Sequence, residues 1–121
     1  MRPIPKNVLC HNAVLALKFA PDKWGKASGN ISGTLESVRF EPVYSHENST
    51  AHNGAKYNAR LFVDAVNSAC ALPLLNVGDK YDGREITAET ITFDGREYDI
   101  AEIKRYYDDR RLHHWEVLLN G

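Results

Sequence analysis

Apolar residues recur at every second position through most of the chain, the period of a strand with one buried face. From Val8 to Phe19 the odd positions read Leu9, His11, Ala13, Leu15, Leu17 and Phe19, all but one of them apolar, and predict a first long strand. Thr34 to Tyr44 predicts a second, with Val38, Phe40 and Tyr44 on one side and Ser37, Arg39 and Glu41 on the other. Pro42 has no N–H to give a ladder, so this strand should end at an edge or a bulge. For residues 56–66 two readings compete. Tyr57, Ala59, Leu61, Val63 and Ala65 alternate as a strand does, while Leu61, Phe62, Ala65, Val66 and Ala69 fit a helical stripe. The β-rich surroundings and the long polar stretch before it favour a strand paired with the second.

The clearest signal lies between Glu85 and Leu119. Asp94-Gly95 sits between runs of Thr, Ile, Phe and Tyr, and an Asp-Gly pair suits a two-residue hairpin because both turn positions need φ > 0. With that turn, Phe93 faces Arg96, Ile91 faces Tyr98 and Glu89 faces Ile100. Ile91, Phe93, Tyr98 and Ile100 then share one face, and Thr90, Thr92, Glu97 and Asp99 the other. Further on, Ile103 and Tyr107 fall out of phase with Tyr98 and Ile100, which predicts a bulge or sheet corner near Ala101-Glu102. Residues 107–110 read as the next turn, and the last strand places Trp115, Val117 and Leu119 on one side and His114 and Glu116 on the other.

Connections complete the picture. Pro3 and Pro5 keep residues 1–7 extended as an arm. Residues 21–33, PDKWGKASGNISG, have loop chemistry, with Trp24 expected to cap the end of the core. Residues 45–56, SHENSTAHNGAK, hold no apolar residue larger than Ala. Twelve residues exceed the usual hairpin loop of about 2–5, so a protruding flexible loop is expected there. Leu72 to Leu75 forms a short apolar crossing, and DGRE occurs at both 82–85 and 94–97, read as two turns rather than a repeat. The fold class is all-β: one domain over residues 1–121, a small antiparallel β-barrel or sandwich of six to seven strands with a long polar loop between strands 2 and 3.

Composition narrows the function. At 121 residues and 13.6 kDa, with formal charge −1, the chain has one core and no global attraction to nucleic acid or anionic membrane. No apolar run approaches a membrane span, and the N-terminal residues do not read as a signal peptide. Cys10 and Cys70 lack CxxC spacing; one disulfide between them could form, but two buried free thiols in a reducing cytosol are the preferred reading.

His113-His114-Trp115-Glu116 invites a metal, but on a strand only His114 and Glu116 share a face, and zinc needs three or four ligands. The expected arrangement is a surface pair of His114 and Glu116, with His113 half buried on the side of Trp115. A metal-dependent enzyme built on His114 and Glu116 is one alternative reading. A single-stranded nucleic-acid-binding barrel using Arg105, Tyr106, Tyr107 and Arg110 is the other, opposed by Glu102, Asp108 and Asp109 in the same stretch. No nucleophile motif, phosphate loop or paired carboxylates appear, so no catalytic residue, cofactor or metal is assigned.

Several segments together resemble the small minor capsid proteins of tailed bacteriophages and prophages of Gram-positive bacteria. They are residues 24–26 (WGK), 38–42 (VRFEP), 61–68 (LFVDAVNS), 91–98 (ITFDGREY) and 112–117 (LHHWEV), within which Trp24, Gly25, Asp94, Gly95, His113, His114, Trp115 and Glu116 form the recurring framework. The resemblance implies a non-enzymatic head-tail connector of the stopper type, monomeric in solution and a homo-oligomeric ring below the portal. Its implied partners are the portal or adaptor and tail-completion proteins, with non-specific proximity to packaged DNA and no membrane. Its implied place is the virion, after the host cytoplasm. By the same resemblance, the loop carrying Ser45, His46, Glu47, Asn48, Ser49, Thr50, His52, Asn53 and Lys56 would line the channel or reach a neighbouring subunit.

Overall fold

The computed structural model describes residues 2–21, 29–43, 49–50, 54 and 56–121. Ten strands follow in order: β1 (His11–Phe19), β2 (Ile31–Pro42), β3 (Ser49–Thr50), β4 (Lys56–Tyr57), β5 (Ala59–Asp64), β6 (Ala69–Cys70), β7 (Lys80–Tyr81), β8 (Arg84–Phe93), β9 (Arg96–Asp108) and β10 (Arg111–Asn120). No helix occurs among the described residues, so the alternating reading of residues 56–66 holds and the helical stripe does not. The six long strands pair antiparallel in the order β1-β2-β5-β10-β9-β8, and β8 pairs back onto β1. That last pairing closes the sheet into a barrel, with the alternate positions of each strand filling the interior.

The predicted meander is present, in its predicted register from the turn as far as Thr90 opposite Asp99. The expected pair of Glu89 with Ile100 does not form: Glu89 lies opposite Leu17 and Ile100 opposite Leu119. Ile91 opposes Tyr98 and Phe93 opposes Arg96, with Asp94 and Gly95 both at positive φ (51° and 78°). The other Asp-Gly pair, Asp82 and Gly83, has the same sign (52° and 76°) and turns β7 into β8. On β9 the register slips by one between Glu102 opposite Leu118 and Ile100 opposite Leu119. Ala101 is therefore the extra residue of a bulge, and it returns Ile103 to the inner side where Ile100 already points.

A second bulge was not legible in the sequence. His11 opposes Val38 but Ala13 opposes Leu35, and Ser37 between them has φ of 56°. Leu35 and Val38, of opposite parity, are thus both fully buried. β2 also starts earlier than expected, at Ile31. Gly33 belongs to it rather than to the loop, and a Cβ there would come within 2.9 Å of both Ala71 Cβ and Leu72 Cγ. The crossing segment lies that close because Leu72 and Leu74 plug one end of the core. At the other end Phe40 stacks on Phe93 at 4.1 Å between ring centres, with Tyr98 and His11 beside them. Trp24, expected to cap the core, lies outside the described residues, as do Gly25 and Tyr44.

Among the described residues two carboxylates are buried. Asp64, 1 % exposed, ends β5 at a corner opposite the Ser37 bulge. It accepts backbone N–H groups of Ile4 (2.9 Å), Val66 (2.9 Å) and Asn67 (2.8 Å), while Ser68 Oγ donates to the Ser37 carbonyl. Burial alone would raise its carboxyl, but these donors, with His113 nearby, hold it below the usual range. Glu89 opposes Leu17 across β1 and β8, and opposed residues share a face, so its side chain points inward. It is 6 % exposed and its Oε2 has no hydrogen-bond partner. Burial first, then the nearby Asp79, push its carboxyl up to about 7, with Arg105 opposing.

Both predict pH-linked stability. Asp64 is lowered on folding, so its contribution is present above the unfolded carboxylate value and lost as pH falls through the folded one. Asp64→Ala should cost about 3 kcal/mol at pH 7 by leaving buried donors unpaired, measured by urea unfolding, and should flatten the acid limb. Glu89 is raised, so its effect has the opposite sign: stability is lost as pH climbs from the ordinary carboxylate range through about 7. Glu89→Gln should therefore gain on the order of 2–3 kcal/mol at pH 8 and nothing at pH 4.

Candidate interaction surface

The long connection between the second and third barrel strands is partly structured. β2 and β5 are adjacent and paired down to Pro42 opposite Ala59. Beyond that pair the ladder is held by Val43 N–H donating to the Asn58 carbonyl (2.9 Å), and Asn58 N–H to the Leu119 carbonyl (2.8 Å). Ser49 and Thr50 then pair with Tyr57 and Lys56 as a separate two-stranded ladder, β3-β4, within the segment expected as a protruding flexible loop. Two opposed strand ends leave the chain free to pair with itself before it re-enters the barrel. Ser45, His46, Glu47, Asn48, His52 and Asn53 lie outside the described residues. Lys56 is exposed.

The N-terminal arm lies on its own barrel. Ile4 N–H is held by Asp64 Oδ1, and Asn67 Nδ2 donates to the Ile4 carbonyl at 2.8 Å. Further out, His113 Nε2 is 2.6 Å from the Arg2 carbonyl. A carbonyl only accepts, so that nitrogen carries the proton. In neutral His113, Nδ1 is then an acceptor for His114 Nδ1–H, 2.8 Å away. A bulge explains this adjacency, because Leu112 opposes Tyr107 while His114 opposes Tyr106. The extra residue, His113, is turned to the arm rather than to the side of Trp115 as alternation had suggested. Trp115 packs against the core.

His114 and Glu116 do share the outer face, but they do not form a pair with each other. His114 stacks on Tyr106 at 4.7 Å between ring centres, and Glu116 Oε1 lies 3.7 Å from Arg60 Nη1. Burial, then the charge of His113, lowers the His114 imidazole, with Glu116 and Asp64 opposing. The Tyr106 hydroxyl is raised by burial and then by Glu116. Among the described residues no three His, Cys, Asp or Glu side chains converge as metal ligands.

The basic-aromatic stretch is divided by the strand. Arg105 opposes Trp115 on the inner side and its Nη2 donates to the Leu74 carbonyl at 3.2 Å, whereas Tyr106 faces out onto His114. Tyr107 is exposed and Arg110 sits in the following turn. These residues therefore do not form one nucleic-acid platform. Cys10 and Cys70 are free thiols as expected but exposed, not buried. Cys10 precedes β1, where Arg39 Nη1 reaches its sulfur at 3.7 Å, and Cys70 lies in β6, a two-residue strand whose side chains face solvent.

Sequence reasoning passed over Asp64 and Glu89. The signal for Asp64 was present in Asp-x-x-Asn-Ser, a pattern suited to capping a corner. That for Glu89 was its expected place opposite Ile100 on the apolar face.

No helix among the described residues is long and apolar enough to cross a membrane. No curated protein and no solved structure matches the chain. One family does match, along nearly the whole barrel: over residues 5–119 the chain belongs to the minor capsid protein family.

Proposed function

We propose that the protein is a head-tail connector of the stopper type, assembling as a ring below the portal, helping to retain packaged DNA and joining the tail. The observation that carries this reading is the insertion between β2 and β5. Its two ends are neighbours in a closed barrel, so some fifteen residues leave and return without disturbing the core. A closed barrel with one polar insertion between neighbouring strands is a unit that a ring could present toward its axis. Family membership supports a structural place in the virion rather than a catalytic one.

A ring needs heterologous contacts that close by rotation. Barrel closure removes most strand edges, so strand addition has little to work on. The arm and the projecting loop remain as the contact elements. The partners are then the portal or adaptor and the tail-completion protein, and with a formal charge of −1 DNA is met as channel content rather than as a bound ligand. No cofactor enters. Before assembly the chain would be a monomer in the host cytoplasm.

Native mass spectrometry of the protein alone and with the portal of the same virus tests this: a monomer alone and a ring of defined stoichiometry on the portal are expected. Deleting residues 46–55 should leave the barrel folded, with Tm changed by no more than about 5 °C, yet yield heads that lose DNA and fail to join tails. Portal binding absent at all concentrations, or a deletion virus that retains DNA and joins tails, would overturn the reading.

A further inference from the structure

The ladder between β8 and β9 runs from the Asp94-Gly95 turn only as far as Thr90 opposite Asp99. Beyond that pair the two strands part: β8 continues along β1 and β9 along β10. The segment after β6 fills most of the gap. Leu72 and Leu74 enter the core, Gly78 N–H donates to the Ile86 carbonyl (2.8 Å) and Ile86 N–H to the Asp79 carbonyl (2.9 Å). A cavity of about 420 Å³ remains where β8 and β9 diverge, lined by Asn76, Val77, Glu89, Ile100, Ala101, Glu102 and Ile103.

Its lining is of two kinds. Val77, Ile100, Ala101 and Ile103 make its apolar side, and Asn76, Glu89 and Glu102 its polar side, with two carboxylates and no cationic residue in the lining. Arg105, whose charge acts on Glu89, spends a guanidinium nitrogen on the Leu74 carbonyl. Glu89 is more than nine-tenths buried and its Oε2 is unpaired, a state that native proteins rarely leave uncompensated. An apolar wall ending in an unpaired buried carboxylate complements one ligand chemistry: an alkyl stem that ends in a cation, as in arginine, lysine and the diffusible alkylamines.

We propose that the cleft between β8 and β9 is a binding site for an alkyl-guanidinium or alkyl-ammonium group, with the cation on Glu89 and the stem along Val77, Ile100 and Ile103. The Ala101 bulge belongs to this site, since it parts β9 from β8 and brings Ile100 and Ile103 to one side. The proposal stands apart from the connector reading and holds or fails without it.

The probe is agmatine, followed by amide NMR on the full chain. Titration should shift the amides of Val77, Glu89, Ala101 and Ile103 saturably. Because Glu89 must be ionised and its carboxyl lies at about 7, affinity should rise about tenfold from pH 6 to pH 8, following the ionised fraction. Asp79 from the 76–79 turn and Arg105 and Glu102 from β9 also face this region, so Glu89→Gln is compared over the same pH range. It should remove both the binding and its pH dependence while the barrel stays folded. Val77→Trp, at an exposed position, should fill the cleft and block agmatine without touching the carboxylate. Self-association that agmatine competes away and Glu89→Gln abolishes would identify the ligand as a basic side chain of a second copy. Agmatine binding by a strict monomer would point to another protein or a free amine. No shift in these amides, shifts matched by uncharged butanol, or equal binding by Glu89→Gln would overturn the proposal.

Discussion

β1 is the strand on which the barrel closes. Its residues are read from both sides at once: Leu15 lies between Gly33 and Ile91, and Leu17 between Ile31 and Glu89. Closure requires every strand to keep its inner set of side chains inward all the way round, because a slip of one residue anywhere turns a strand inside out. A single unbroken alternation on β2, β8, β9 and β10 does not satisfy this. The extra residues at Ser37, Thr87, Ala101 and His113 do, by restoring phase along each ladder.

The same bends create what is polar and chemically individual in the molecule. Opposite Ser37 the chain needs a corner, and Asp64 supplies it by accepting three backbone donors while holding the N-terminal arm. At His113 the extra residue turns an imidazole toward that arm. At Ala101 β9 leaves β8, opening the cleft in which Glu89 Oε2 has no hydrogen-bond partner. Glu89 is a local cost that the remaining hydrophobic core, from Leu15 and Leu17 to Val117 and Leu119, is large enough to carry.

For a minor capsid protein this arrangement separates two tasks. The barrel is a body in which closure pairs most strand edges, which limits indiscriminate strand pairing. On the proposals made above, recognition would fall to what the barrel carries outside its long ladders: the arm held by Asp64 and His113, the insertion between β2 and β5, and the cleft where β8 and β9 part.

By itself the sequence determined the strands, most of their faces and the hairpin registers, because these depend on residues a few positions apart. The Asp94-Gly95 turn sets Ile91 against Tyr98, and the change of parity between Ile100 and Ile103 marks the Ala101 bulge. It also carried the family, through segments spread along nearly the whole chain. Only the tertiary structure decided that the sheet closes through β1 and β8, that Ser37 breaks the phase of β2, that His113 belongs to the arm and that Cys10 and Cys70 face solvent. Each of these rests on partners 25 or more positions away. Local pattern cannot encode them: a bulge in β2 is required by the register of β1, and the unpaired state of Glu89 by where β9 departs.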